Sequence, residues 1–300
     1  MRTETVTSAQ NPKIRNLLLL QEKSKARREQ GLFVVEGRRE LEHCLEAGFQ
    51  VRTLFVCPEI VGSFAEEGVA SQISGHPRPD KREGPAGAAS GRGRSEAEAI
   101  CDAIPSAVKP LVIEIPEQLY RKVAYRESTE GILAEVEYKT LGLKDLQLPQ
   151  NPLIMVLESV EKPGNLGAVL RSADAAGADA VLVCDPLTDL YNPNLIRASI
   201  GAVFSVPTVA VSSQEAIAFL KERGIQILTA QLQDSSLYYD VDMTRGTALV
   251  MGTESTGLTQ QWRQAAGAHI RIPMLGRLDS LNVSVSAAIL LFEAVRQRQE

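Results

Sequence analysis

The sequence predicts an α/β protein: a C-terminal parallel sheet with helices on both faces, preceded by a smaller α/β domain. Three observations carry this. Beyond residue 152, short apolar runs alternate with amphipathic stretches, the pattern of βα units that wind into a parallel sheet. At 300 residues the chain exceeds what one core usually holds, so two domains are expected. Finally, a tract rich in Gly, Pro, Ala, Ser and Arg at 62–106 interrupts the first half. It holds too few apolar residues to offset its ordering entropy and reads as a flexible insertion.

In chain order, NPKIRNLLLLQEKSKARREQ (11–30) has the apolar spacing of one amphipathic helix, and GLFVVEG (31–37) that of a short buried strand before a helix ending at Gly48. VRTLFVC, LVIEIP and GILAEVEY supply three more strands. The first domain thus spans 1–139, and TLGLKDLQLPQNP reads as a linker over 140–152. From 153 to 300, strands are expected at 153–157, 180–184, 206–211, 225–230, 247–251 and 269–272. Helices are expected at 165–176, near 193–200, at 214–223, near 259–265 and at 283–297. In such sheets ligands sit beyond the carboxyl ends of the strands, so the loops after Leu157, Ala230, Met251 and Ile272 are where chemistry is sought.

Composition narrows the function. The apolar fraction of 44% and charged fraction of 23% are those of a soluble globular protein. The start, MRTETVTSAQNPK, has no apolar signal-peptide core and no long apolar run follows, so a cytoplasmic protein is expected. Cys44, Cys57, Cys101 and Cys184 lack CxxC spacing, and His43, His76 and His269 stand far apart, so neither disulfides nor a metal site is indicated. The net charge of −5 is unevenly spread: residues 1–39 carry nine Lys/Arg against four Asp/Glu, and the remainder 23 against 33. Lys13, Arg15, Arg27, Arg28 and Arg38 in that basic segment are the candidate RNA contacts, with Arg126 a further one.

Three loops carry unusual residues. In LESVEKPGNLGAVLRSADAAGAD, Asn165 stands at a helix start, Gly167 permits a close approach to the first turn, and Arg171 follows six residues after Asn165. In ALVMGTESTGL, a buried strand opens into Gly252, Glu254 and Gly257, where glycine admits close backbone approach and a carboxylate can orient an arginine. In IPMLGRLDSLNVS (272–284), Ser280, Asn282 and Ser284 alternate with Leu281 and Val283, so one set faces a ligand while the other is buried. No GxGxxG fingerprint accompanies them, which counts against a nicotinamide or flavin enzyme.

NLGAVLR with its preceding proline, LVMGTESTGL and IPMLGRLDSLNVSVSAA together resemble the three motifs of the SpoU/TrmH family of RNA ribose 2′-O-methyltransferases, in the family's order. The resemblance covers roughly 153–298. NPKIRNLL…GLFVVEGRRELEHCLEAG and STEGILAEV resemble the small substrate-binding domain, similar to RNA-binding ribosomal proteins, that many members carry in front. Ser255 stands where the second motif commonly has glycine, and Ser286 where the third commonly has alanine.

The resemblance implies a SPOUT fold with a trefoil knot, S-adenosylmethionine as cofactor and a homodimer. It implies that Gly252, Ile272 and Leu281 hold the cofactor, with Thr229, Ala230 and Met274 lining the same pocket. It also implies a reaction site of Asn165, Arg171, Glu254, Ser280 and Asn282, with no metal. Because a guanidinium loses its proton only above about 12, Arg171 is better suited to steady alkoxide charge or grip a phosphate than to act as a base. The implied substrate is 23S ribosomal RNA, with transfer RNA as the alternative and a non-catalytic RNA-binding protein of the same fold as the rival class.

Overall fold

The computed structural model describes residues 2–61, 110–125, 130–253 and 256–299. The expected insertion at 62–106, Arg126, Glu254 and Ser255 lie outside them. The chain divides into two compact units, Met1–Leu41 with Phe49–Glu137, and Glu42–Gly48 with Tyr138–Glu300.

The first unit is a five-stranded sheet. It is built from β1 (Arg2–Thr5), β2 (Leu32–Glu36), β3 (Val51–Val56), β4 (Leu111–Glu114) and β5 (Ile132–Glu137), in the order β1-β4-β3-β5-β2. β4 pairs in parallel with β1 and β3, whereas β5 pairs antiparallel with β2 and β3. Its helices are α1 (Pro12–Glu22), α2 (Ser24–Gln30) and α4 (Glu117–Val123), and α3 (Arg38–Glu46) begins in this unit and passes at Glu42 into the second. Ile14, Leu17 and Leu20, spaced for one face of α1, join Val34, Phe55, Leu133 and Tyr120 in the core.

The basic segment departs from expectation in two ways. It forms two helices, broken at Lys23, whose backbone is extended at φ −109° and ψ 109°. The break leaves the last carbonyls of α1 without helical donors. Arg27 supplies them: its Nη1 donates to Leu20 O at 2.7 Å and Gln21 O at 3.2 Å, and the residue is only 1% exposed. Arg27 is therefore an interior cap and not a surface contact for RNA. Lys13 is half-buried and paired with Glu4. Arg15 and Arg28 are exposed, and Arg38 is half-buried at the start of α3.

The second unit contains β6 (Leu153–Glu158), β7 (Ala180–Cys184), β8 (Thr208–Val211), β9 (Gln226–Ala230), β10 (Ser236–Leu237), β11 (Thr247–Met251) and β12 (Ala268–Arg271). Between and after them run α5 (Pro163–Ala175), α6 (Pro193–Ser199), α7 (Ala202–Ser205), α8 (Ser213–Glu222), α9 (Gln260–Ala265) and α10 (Val283–Gln299). The strands form one sheet, β10-β12-β9-β11-β6-β7-β8, in which every pair is parallel. β6, β7 and β11 are buried along their whole length, as strands covered on both faces must be. Two-residue β10 has no apolar alternation, so the sequence does not announce it.

Two contacts set the helices around this sheet. A Cβ at Gly167 would lie 2.5 Å from Ala198 Cβ and 2.8 Å from Ser199 N, so the close approach anticipated there is that of α6 and not of a ligand. Near the end of α10, Arg298 donates to Met243 O, Asn151 O, Pro152 O and Arg245 O, tying the last helix to the segments entering β6 and β11.

Replacing Arg27 with Met keeps bulk but strands two buried carbonyls. It is expected to cost the first unit about 2–3 kcal/mol in urea denaturation, whereas Arg28→Met, at an exposed position, is expected to leave stability within about 0.5 kcal/mol.

Candidate active site

Adjacency in the sheet brings the carboxyl ends of β6, β11, β9 and β12 side by side, and the loops leaving them carry the residues singled out in the sequence. A cavity of about 470 Å³ opens among the last three, within the size range of sites for small organic ligands. Ala230, Met251, Gly252, Ile270, Ile272, Met274, Ser280 and Leu281 line it, with Gln231, Leu258, Arg263, Arg271 and Asp279. Five of the six expected cofactor residues are thus gathered around one space. Thr229 is not: it is fully buried, and its hydroxyl lies 2.6 Å from His269 Nδ1. In a strand neighbouring side chains alternate between faces, so Thr229 and Ala230 cannot serve the same side.

Gly252 makes the cavity wall possible. A Cβ there would stand 2.3 Å from both the carbonyl carbon and oxygen of Gly257. Thr253 and Gly257 form an isolated antiparallel bridge, and Gly257 has φ +67°. Both glycines are required by geometry, one for the close approach and one for its left-handed backbone.

Next to the cavity-lining Ser280 and Leu281, Asn282 Nδ2 donates to Asn165 Oδ1 at 3.1 Å across 117 positions of sequence. Asn282 Oδ1 accepts from Ser284 N at 3.0 Å and Ser284 Oγ at 2.6 Å, which caps α10 and fixes the amide's orientation. Asn165 is set in the first turn of α5 by Pro163, whose constrained φ suits the first helical position. Ser280 Oγ donates to Asp279 Oδ1 at 3.3 Å. Arg171 lies on α5 about 9 Å along the axis from Asn165. It is exposed and makes no hydrogen bond or ion pair among the described residues. The loop carrying Glu254 is described only at its flanks.

Sequence reasoning missed a buried polar cluster behind this site. Glu158, 2% exposed at the end of β6, accepts from Thr259 N at 2.8 Å through Oε2 and from Thr259 Oγ1 at 2.6 Å through Oε1. Ser213 Oγ donates to Asp185 Oδ2 at 2.5 Å, lies 3.5 Å from Glu158 Oε1, and accepts from Trp262 Nε1 at 2.9 Å. Thr259 and Trp262 belong to the start of α9, so the cluster clamps that helix, and with it Arg263, to the ends of β6 and β7. The signal was present in outline: both acids stand at strand ends, and an acidic residue closing a buried strand needs partners.

The donor set suits a polar organic ligand with an apolar body. Apolar side chains and strand-end backbone form most of the wall. On two of the lining residues, Gln231 Oε1 and Arg263 Nε are shielded from solvent and have no hydrogen-bond partner among the described residues. Orphaned interior polar atoms are uncommon and call for a partner. S-adenosylmethionine, with an apolar purine face, hydroxyls and a charged amino-acid end, fits that wall.

Glu158→Ala is expected to leave the Thr259 N–H and hydroxyl unpaired and to lower stability by about 1–3 kcal/mol in chemical denaturation. Wild-type stability in that variant would mean that α9 is held by other contacts.

Residues 152–292 match the SpoU rRNA Methylase family, and residues 11–78 the MRM3-like substrate binding domain. The chain is 42% identical over 177 residues to the 23S rRNA (guanosine-2′-O-)-methyltransferase RlmB of Escherichia coli K12, covering 56% of this chain and 72% of that one. It superposes on a crystal structure of an RNA 2′-O ribose methyltransferase with a TM-score of 0.75 at 35% identity, over 99% of this chain and 100% of the other. An AdoMet-bound rRNA methyltransferase from Sinorhizobium meliloti gives a TM-score of 0.78 at 27% identity, over 98% of each chain. With the three motifs placed on one edge of a parallel sheet and relatives similar along most of their length, the chain belongs to the SpoU family of RNA 2′-O-ribose methyltransferases.

Proposed function

We propose that this protein transfers the methyl group of S-adenosylmethionine to a ribose 2′-hydroxyl of 23S ribosomal RNA. The observation that carries the reading is the meeting of Asn165 and Asn282 beside a cavity lined by Gly252, Ile272 and Leu281. This is the arrangement that the motif resemblance implies, in a chain whose E. coli relative is named for this reaction.

Bound S-adenosylmethionine supplies an already activated methyl, so the protein's task is placement and charge. Ala230, Gly252, Ile272, Met274 and Leu281 hold the cofactor. Asn165 and Asn282, each fixed by the other and by its own helix start, present amide groups that orient the ribose. Ser280 contributes a hydroxyl on the same rim. Arg171 offers a permanently charged donor for the oxygen as its proton leaves or for the neighbouring phosphate, which suits its lack of a partner among the described residues. Glu254, which lies outside the described residues, orients Arg171 or a neighbouring donor, as the motif resemblance implies.

Residues 1–139 bind the RNA, through Arg15, Arg28, Arg38 and Lys13 of the basic segment, 140–152 link, and 153–300 catalyse. RNA is read by shape and by unstacked loops, which suits a separate small domain. The second unit carries the trefoil knot of the SPOUT fold. Two copies pair through it, on a face of α10 where Val285 and Phe292, seven residues apart, are 47% and 48% exposed. Among the described residues no helix is long and apolar enough to cross a membrane, and the protein acts in the cytoplasm.

With labelled S-adenosylmethionine, label is expected in 23S rRNA and not in transfer RNA. Arg171→Ala is expected to cut methyl transfer by about a hundredfold or more while cofactor affinity by calorimetry stays within about threefold. An active Arg171→Ala enzyme would refute the role given to that residue, and label in transfer RNA alone would refute the substrate.

A further inference from the structure

One wall of the cavity is fastened by a residue that has no part in the proposed chemistry. Leu157, the neighbour of Glu158 on β6, is in register with Met251, the last residue of β11. Beyond Met251, Gly252, Gly257 and Leu258 line the cavity, and Thr259 follows directly. Glu158 holds the chain at that point. Its Oε2 accepts from Thr259 N at 2.8 Å and its Oε1 from Thr259 Oγ1 at 2.6 Å, across 101 positions of sequence. At 2% exposure these charge-assisted bonds are shielded from water. Farther along α9, Trp262 is tied separately to Ser213, so Glu158 acts on the helix start and on the wall residues just before it. Glu158 is not itself among the residues that line the cavity.

On the reading that S-adenosylmethionine occupies this cavity, we infer that Glu158 is a positioning residue for cofactor binding. By holding Thr259 it keeps Gly257 and Leu258 against Gly252, so the wall is formed before the ligand enters and little has to be ordered on binding. The bonding inventory says what the position requires. The Thr259 N–H only donates, whereas its hydroxyl donates or accepts. A carboxamide in place of the carboxylate accepts from the N–H and donates to the hydroxyl, leaving both satisfied. The role therefore needs an acceptor of this shape, and neither a negative charge nor a transferable proton. That separates positioning from acid or base catalysis. Alanine, by contrast, leaves Thr259 unheld and the wall free to shift.

Isothermal titration calorimetry of the full chain with S-adenosylmethionine, well below each variant's melting temperature, tests this beside methylation assays at saturating cofactor. Glu158→Ala is expected to weaken binding by roughly tenfold, with kcat at saturation within about threefold of wild type. Glu158→Gln is expected to stay within about threefold in both, with an unaltered pH profile. Thr259→Val loses only the hydroxyl bond and is expected to weaken binding by roughly threefold; it carries the test if Glu158→Ala does not fold. Because both residues act through one contact, the double variant is expected to bind no more weakly than Glu158→Ala alone. Wild-type affinity in Thr259→Val or in a folded Glu158→Ala would overturn the assignment. So would a Glu158→Gln as defective as Glu158→Ala, or additive losses in the double variant. A wild-type protein that does not bind S-adenosylmethionine would sink the cofactor reading itself, which distinguishes that failure from failure of the positioning role.

Discussion

The site depends on one buried carboxylate at the carboxyl end of one interior strand. Glu158 closes β6, the strand between β11 and β7, and both of its oxygens are taken by Thr259. A buried carboxylate is tolerated only when its lone pairs are filled, so the position of Thr259 follows from that of β6. Thr259 starts α9, and two residues before it Gly257 meets Gly252 with no room for a side chain. The cavity wall is the result. Trp262, donating to Ser213, locks the same helix to the neighbouring β7 and α8 through Asp185.

Much of this was legible in the sequence, for reasons that can be named. The second unit's strands are short apolar runs separated by amphipathic helices, so period and length identified them. The three motif loops are polar where a core segment would be apolar, so they stood out at the strand ends where ligands bind. What was not legible depends on partners far away in the chain. Gly167 announced a close approach but not that Ala198 makes it. Arg27 looked like any basic surface residue, because nothing local reveals that Lys23 breaks the helix and leaves two carbonyls to be capped. Thr229 was expected to line the pocket together with Ala230, but period-two alternation puts their side chains on opposite faces. Gln231 and Arg263 belong to no motif and emerge only once their surroundings bury them.

The charge distribution and the two-unit organisation fit together in the proposed function. An acidic chain is a poor partner for RNA as a whole, yet residues 1–39 are basic, and α1 and α2 within them present Arg15 and Arg28 to solvent. Phosphate contacts of this kind give affinity without sequence information. The chemistry asks for less than affinity does, since alignment and one well-placed cation suffice where the electrophile is already activated. In the proposed function an exposed arginine about 9 Å along α5 from two mutually bonded asparagines supplies that cation.

The central claim is that methylation occurs on ribose oxygen and not on a base. Alkali cleaves RNA through the free 2′-hydroxyl, so a methylated ribose protects its own 3′-phosphodiester. After labelling 23S rRNA with this enzyme and methyl-labelled S-adenosylmethionine, complete alkaline hydrolysis is predicted to leave the label in an alkali-resistant dinucleotide. Label recovered in mononucleotides would contradict the account.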